Sequence, residues 1–448
     1  MEFNQELYDY VLGATKSFEE SLDERPVTPS EEAQQHLSIF DEPLADTGTN
    51  AIDVLKMLNE KGEPGVVSSR GGRYYGFVTG AAMPVAVAAN WMAASWDQNG
   101  GPAVMSPLAA KIEEVAGSWV LDVLDLPRES GFGFVTGATM AGFTALAAAR
   151  HKIYNNIGYD EKEDGIRSAP EIRFIVSQDI HPTIIIALQY MGYGKNELNF
   201  VPVDKQGRMI MNEMPTLDER SIVICQAGNV NSGAFDPFNE ICDLAAAAGA
   251  WVHVDGAFGG WIRASKTRAN LANGMERADS WSIDNHKWLN IPHDSAVAIV
   301  RDGDALRDMF GVRAAYLVPG ALREPNHHTP ELSRRARGIE VWAALKHLGR
   351  DGMASLLDRT CDHAFRFASE LEKMGFTIMN DVVINHVVAT LEDEEKLETL
   401  IKSVQQSGKT WFGPTLWQGK KGFRISISSY VTTNGDIDIA LQAIKDAL

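Results

Sequence analysis

Between residues 131 and 300 the chain alternates short apolar runs with longer stretches whose apolar residues recur at helical spacing. The short runs are 132–135, 172–177, 198–201, 221–225, 250–254, 280–283 and 296–300. They are mainly apolar and β-prone, the pattern of strands covered on both faces. Their alternation with helical segments predicts an α/β body, a mainly parallel seven-stranded sheet flanked by helices. A helix with apolar positions at helical spacing follows a Ser106-Pro107 start. Residues 1–62 show helical patterns at 6–22, 29–40 and 51–59 with too little apolar surface for a core of their own. They predict a helical N-terminal arm that packs on another body, a second subunit included. A polar stretch at 319–330, rich in Pro and containing Arg323, His327 and His328, predicts a mobile loop ahead of a long helix beginning near Glu331. Helical patterns at 352–374 and 392–406, apolar runs at 385–391 and 423–428 and a closing helix predict a small α+β domain. The expected division is an arm at 1–62, a large domain at 63–350 and a small domain at 351–448.

Composition narrows the function classes. The 448 residues suit two or three domains. Lys and Arg number 41 against 60 Asp and Glu, a formal charge of −19, which argues against nucleic-acid or anionic-membrane partners. An anionic ligand would need a local positive site. Cys225, Cys242 and Cys361 lack metal-site or redox spacing, which points to a reducing, cytoplasmic setting with no structural metal. The first residues lack a signal-peptide pattern, and the apolar stretch 80–96 is broken by Pro84 and Asn90.

Candidate chemistry falls at the carboxyl ends of the predicted strands, where open α/β sheets bind ligands. Asp255 closes 250–254, and Lys287 follows 280–283 after His286. An amine able to form a Schiff base, paired with a carboxylate able to keep a pyridine nitrogen protonated, suggests pyridoxal phosphate. The turn Thr136-Gly137-Ala138-Thr139 offers free N–H groups and a hydroxyl to a phosphate, or else is a packing device of small residues. His181 before Pro182 either stacks on a cofactor ring and carries a proton or merely caps the next helix. After 221–225, Gly228 and Gly233 allow close backbone approach. Asn229 or Asn231 would donate to the cofactor's phenolic oxygen, or both are turn residues. Ala257 supplies a small surface for ring packing.

These residues resemble the group II decarboxylase family of pyridoxal-phosphate enzymes, on the aspartate-aminotransferase-like (type I) fold. The resemblance runs from about Arg73 to the C-terminus, through His253-Val-Asp-Gly-Ala257, Asp279-Ser280, His286-Lys287-Trp288 and 330–335. It implies that Lys287 forms the Schiff base, Asp255 pairs with the pyridinium nitrogen and His181 stacks on the ring. Ala138, Thr139 and His286 would hold the phosphate. The implied reaction is decarboxylation of an L-amino acid by a homodimer, with a carbon–carbon lyase, an aminotransferase or an aldehyde-forming oxidative deaminase as same-cofactor alternatives and a non-catalytic binding protein as another. Arg424 is a candidate carboxylate partner against the alternative of a surface arginine, and Tyr74, Tyr75, Phe77 and His328 are candidates for the pocket. Three departures stand out. Met140 replaces a Glu, and Gly228-Asn229-Val230 replaces a Gly-Thr-Thr. The stretch 317–331 has histidines where the family carries a loop tyrosine, and Tyr316 precedes it.

Overall fold

The computed structural model describes residues 4–311 and 323–448. Seven strands form the main sheet: β1 (Gly131–Val135), β2 (Arg173–Ser177), β3 (Leu198–Val201), β4 (Ser221–Gln226), β5 (Trp251–Asp255), β6 (Ser280–Asp284) and β7 (Ala296–Val300). Their order is β1-β7-β6-β5-β4-β2-β3, and β4 to β7 are buried at every residue. The pairings of β6 with β5, β5 with β4, β4 with β2 and β2 with β3 are parallel, whereas β7 runs antiparallel to both neighbours. All strands except β7 therefore end on one edge of the sheet. The apolar runs are satisfied by cores on both faces, in which Trp261, Trp281 and Trp288 are fully buried.

Helices α1 (Gln5–Ser21), α2 (Glu31–His36) and α3 (Ala51–Met57) make the arm, none of them with a fully buried residue. Next come α4 (Pro84–Trp96), α5 (Pro107–Val123), α6 (Ala138–Asn156), α7 (Glu161–Asp164), α8 (Pro182–Tyr190), α9 (Phe238–Ala248) and α10 (Gly303–Phe310). Helix α11 (Gly338–Lys373) links the large body to a second sheet of β8 (Thr377–Ile378), β9 (His386–Thr390), β10 (Gly413–Trp417) and β11 (Lys420–Ser426), ordered β10-β11-β9-β8. Helices α12 (Glu394–Gln406) and α13 (Asn434–Ala447) pack with it around a separate apolar core.

Two expectations change. The long helix begins at Gly338, not near Glu331, because 334–337 is tied down otherwise. The Arg334 carbonyl accepts from Gly100 N at 2.7 Å, and its guanidinium meets the buried Glu113 at 2.7 Å. Within α11, Gly349 takes φ +60, a value that favours glycine, and divides the helix next to the expected boundary at 350. The segment 73–76, expected in the large body, instead extends the small sheet. Tyr75 N donates to Trp411 O at 2.8 Å, and Tyr75 O accepts from Ser426 N at 3.0 Å. Among the described residues no helix is long and apolar enough to cross a membrane.

Candidate active site

The edge at which β1, β2, β4, β5 and β6 end is where the chemistry gathers. A cavity of about 230 Å³ opens there, walled by His181, Gln226, Gly228, Asp255, Ala257, Lys287 and Arg424 together with Phe77, Val78, Val230 and Phe258. Each polar wall residue arrives from a different segment, which no local sequence window reveals.

Lys287 sits on a turn braced on several sides. Trp288 is fully buried and its indole N–H donates to Thr360 Oγ1 at 2.9 Å. Asn290 uses its whole amide: Oδ1 accepts from Ala81 N at 3.1 Å and Tyr430 N at 2.8 Å, and Nδ2 donates to Trp288 O at 2.8 Å and Ser428 O at 2.9 Å. The turn is thus fastened to the small domain and to the segment before α4. Gly80 packs so closely that a β-carbon there would stand 1.9 Å from Lys287 O. Lys287 Nζ pairs with Asp284 Oδ2 at 2.9 Å.

Asp255 ends β5 with its carboxylate buried; Oδ1 accepts from Ala257 N at 3.2 Å. Burial pushes its pKa up, while His181 and Lys287 pull it back. Behind it runs a chain of side chains. Trp251 Nε1 donates to Ser280 Oγ at 2.9 Å, and Ser280 Oγ lies 2.9 Å from His253 Nδ1. His253 Nε2 and Asp255 Oδ1 each stand at a looser 3.5 Å from Ser282 Oγ. An indole only donates, so Ser280 Oγ accepts from it and shares a hydrogen bond with His253 Nδ1, while the Ser282 hydroxyl donates to Asp255 Oδ1. Burial lowers the His253 pKa to about 3, which keeps the ring neutral.

The structure places His181 both at a helix cap and on the cavity wall. It caps α8, its Nδ1 accepting from Thr183 N at 3.3 Å and lying 2.7 Å from Thr183 Oγ1, and it also lines the cavity. Burial lowers its pKa, with Asp255 opposing that shift. Arg424, on β11, donates to Val230 O at 2.6 Å and is mostly buried, with its pKa lowered to about 10 by burial. It is not the surface arginine of the bland reading.

Ala138, Thr139 and His286 do not wall the cavity; Ala138 and His286 meet at Asp284, the carboxylate that pairs with Lys287. Ala138 N, in the first turn of α6, donates to Asp284 Oδ1 at 2.7 Å. His286 Nε2 lies 3.7 Å from the same oxygen, and a β-carbon on Gly137 would be 3.6 Å from His286 Cε1. Gly137, the N-cap of α6, has no side chain to cap the first-turn amides.

Several expected residues stand elsewhere. Asn229 is a buried turn residue whose Oδ1 accepts from Asn231 N at 2.9 Å and Ser232 N at 3.2 Å, and Asn231 Oδ1 accepts from Thr415 Oγ1 at 2.8 Å. Neither walls the cavity; the amide that does is Gln226, whose Nε2 is buried without a partner. Tyr74 stacks on Trp411 at 5.1 Å, outside the wall, and Tyr75 packs inside the small-domain core. Phe77 does reach the wall, at the mouth, 66% exposed and 5.3 Å from the Trp411 ring. His328 lies off the wall, buried against Glu324 O at 3.1 Å, and burial pushes its pKa well down. Tyr316 and Leu317 lie outside the described residues.

Asp284 and Gln226 went unnoticed in the sequence. Each is the last residue of its strand, as Asp255 is, and that shared place was the available signal.

The residues present fit pyridoxal phosphate. A braced amine and a buried carboxylate face one cavity with a flat imidazole on its wall, and the N-terminus of α6 lies just past the amine.

Comparison with known proteins agrees. The model of the pyridoxal-dependent decarboxylase conserved domain matches residues 35–392. An aromatic-L-amino-acid decarboxylase of Bacillus atrophaeus is 25% identical over 365 residues, 78% of this chain and 73% of that protein. An L-2,4-diaminobutyrate decarboxylase of Rhizobium meliloti (strain 1021) is 27% identical over 377 residues, 79% and 71%. A cysteine sulfinic acid decarboxylase of Mus musculus is 27% identical over 311 residues, 65% of this chain but only 57% of that protein. In structure, Oryza sativa TDC with PLP and tryptamine superposes with a TM-score of 0.91 at 19% identity, over 100% of this chain and 98% of that one, a likeness of fold. With the conserved domain matched over most of its length, the chain belongs to the family of pyridoxal-dependent decarboxylases, enzymes that carry pyridoxal phosphate.

Proposed function

We propose that the protein removes the α-carboxyl group of an L-amino acid as carbon dioxide, with Lys287 holding the cofactor. The observation that carries this reading is the meeting, in one cavity, of Lys287, Asp255 and His181 with Arg424. Bound pyridoxal phosphate supplies an electron-withdrawing ring that takes up the electron pair left by the departing carbon dioxide. Asp255 keeps the pyridine nitrogen protonated, and its burial makes that ion pair strong. His181 has Nδ1 engaged by Thr183, so any proton it carries passes through Nε2. Arg424 offers a substrate carboxylate two parallel N–H donors in a desolvated place, where a charge-assisted pair is strongest. Gln226 rather than Asn229 brings an amide to the cofactor's phenolic oxygen.

The same reading includes a homodimer. Trp91, Met92 and Trp96 on α4 and Val104, Met105 and Leu108 at the approach to and start of α5 are all more than 40% exposed, a concentration of large apolar side chains in two consecutive segments that a partner surface would cover. Light scattering at micromolar concentration is expected to give twice the chain mass of 49.1 kDa.

Incubation of the purified, cofactor-loaded protein with each of the twenty amino acids, followed for carbon dioxide and for keto acid, tests the reaction. Carbon dioxide with the matching amine is the expected result. Keto acid without carbon dioxide contradicts it and points to amino transfer.

A further inference from the structure

We propose that Asp284 weakens the hold of this site on the cofactor's phosphate, and so sets how sharply the protein distinguishes pyridoxal phosphate from unphosphorylated pyridoxal. The inference rests on the cofactor and not on which substrate bond is broken.

The argument is one of charge at a single place. The start of α6 is where this chain can hold a phosphate, since Gly137 has no side chain to lay over the first-turn amides and His286 stands beside it. One of those amides, Ala138 N, is already donating to the Asp284 carboxylate at 2.7 Å. The carboxylate is 3% exposed in its side chain, so water screens it little. A phosphate dianion arriving at the same helix terminus meets one donor fewer and a negative charge at close range. Asp284 therefore opposes the phosphate twice, by occupying an amide and by repulsion.

What holds the carboxylate there is Lys287, whose Nζ is 2.9 Å from Oδ2. The other neighbours do not offset its charge. His286 Nε2 is 3.7 Å from Oδ1, but burial lowers the His286 pKa to about 4. His293 stacks on His286 at 4.3 Å, and burial lowers its pKa too. Once Lys287 is drawn to the cofactor's aldehyde, Asp284 keeps its amide but loses its closest cation.

The test is equilibrium binding to the full-length apoprotein, read by visible absorbance and by dialysis. Pyridoxal phosphate and pyridoxal are each titrated into the wild type and Asp284→Asn. The asparagine keeps the size and an oxygen for Ala138 N but removes the charge. Taking the ratio of the two affinities cancels any change in Lys287 itself. The ratio is expected to rise in favour of pyridoxal phosphate by at least about tenfold in Asp284→Asn, as removal of a close like charge predicts. An unchanged or smaller ratio overturns the proposal, since Asp284 would then be ordering the phosphate site instead of opposing it. Inorganic phosphate provides a second measurement that needs no variant. It is expected to displace pyridoxal phosphate from the wild type no better than chloride at matched ionic strength, and specific displacement at sub-millimolar phosphate overturns the proposal.

Discussion

A carboxylate, an amide and an imidazole each take their role from what they touch, and residue type alone misassigns some of them. Asn229 and Gln226 are both amides in one segment, yet the first closes a turn through Asn231 N and Ser232 N while the second faces the cavity. Gln226→Leu is therefore expected to weaken cofactor binding about tenfold and to shift the visible band of the loaded protein, because a hydrogen bond to a charged group is lost. Asn229→Ala is expected to cost about 1–2 kcal/mol of stability in urea unfolding with the band unmoved. A reversed pattern would return the phenolic-oxygen role to Asn229. His181 differs again, since capping α8 leaves its ring on the cavity wall, so the cap does not preclude a role there.

At the scale of elements, much was legible. The seven apolar runs became the seven strands with no end shifted by more than one residue, because strands covered on both faces are predominantly apolar along their length. The meeting of Lys287 and Asp255 at one cavity could be read for the same reason: both follow such runs, on strands that are neighbours in the sheet. What stayed hidden was set by contacts distant in sequence. Nothing near Glu331 signals that Arg334 will pair with Glu113, and nothing near Tyr74 signals that Tyr75 will bond to Trp411 and Ser426. Strand β10, Gly413–Trp417, was missed because Pro414 breaks its pattern, which an outer strand tolerates. The turn after Lys287 is a further product of long-range contacts. Asn290→Leu would strand two amide donors and two carbonyls that Asn290 now satisfies. A loss on the order of 3 kcal/mol is expected, with cofactor retention falling along with it. A variant that unfolds at the wild-type urea midpoint would show that the turn is held elsewhere.

For the molecule as a whole, the buried histidines couple stability to pH. His253 is the clearest, its pKa falling from an unfolded value of about 6.5 to about 3 on folding. The unfolded chain therefore binds the extra proton, so the contribution is fully present above about pH 6.5 and is lost as the pH falls toward 3. Between pH 7 and pH 5 this one group accounts for about 2 kcal/mol. In His253→Gln, whose amide can still hydrogen-bond with Ser282, the drop in unfolding free energy between those two pH values is expected to be smaller by that amount. An equal drop in both proteins would remove His253 from the account. The formal charge of −19 places no bar on an anionic cofactor, because the positive groups it needs are gathered locally at Lys287 and Arg424.

The central claim is that Lys287, facing Asp255 across one cavity, is the residue that holds pyridoxal phosphate. Borohydride reduction of the loaded protein, followed by digestion and mass spectrometry of the peptides, reads this directly. A single stable pyridoxyl phosphate adduct on Lys287 is the predicted result, together with loss of the visible band in Lys287→Ala. An adduct on another lysine, or a band that survives in Lys287→Ala, would contradict it.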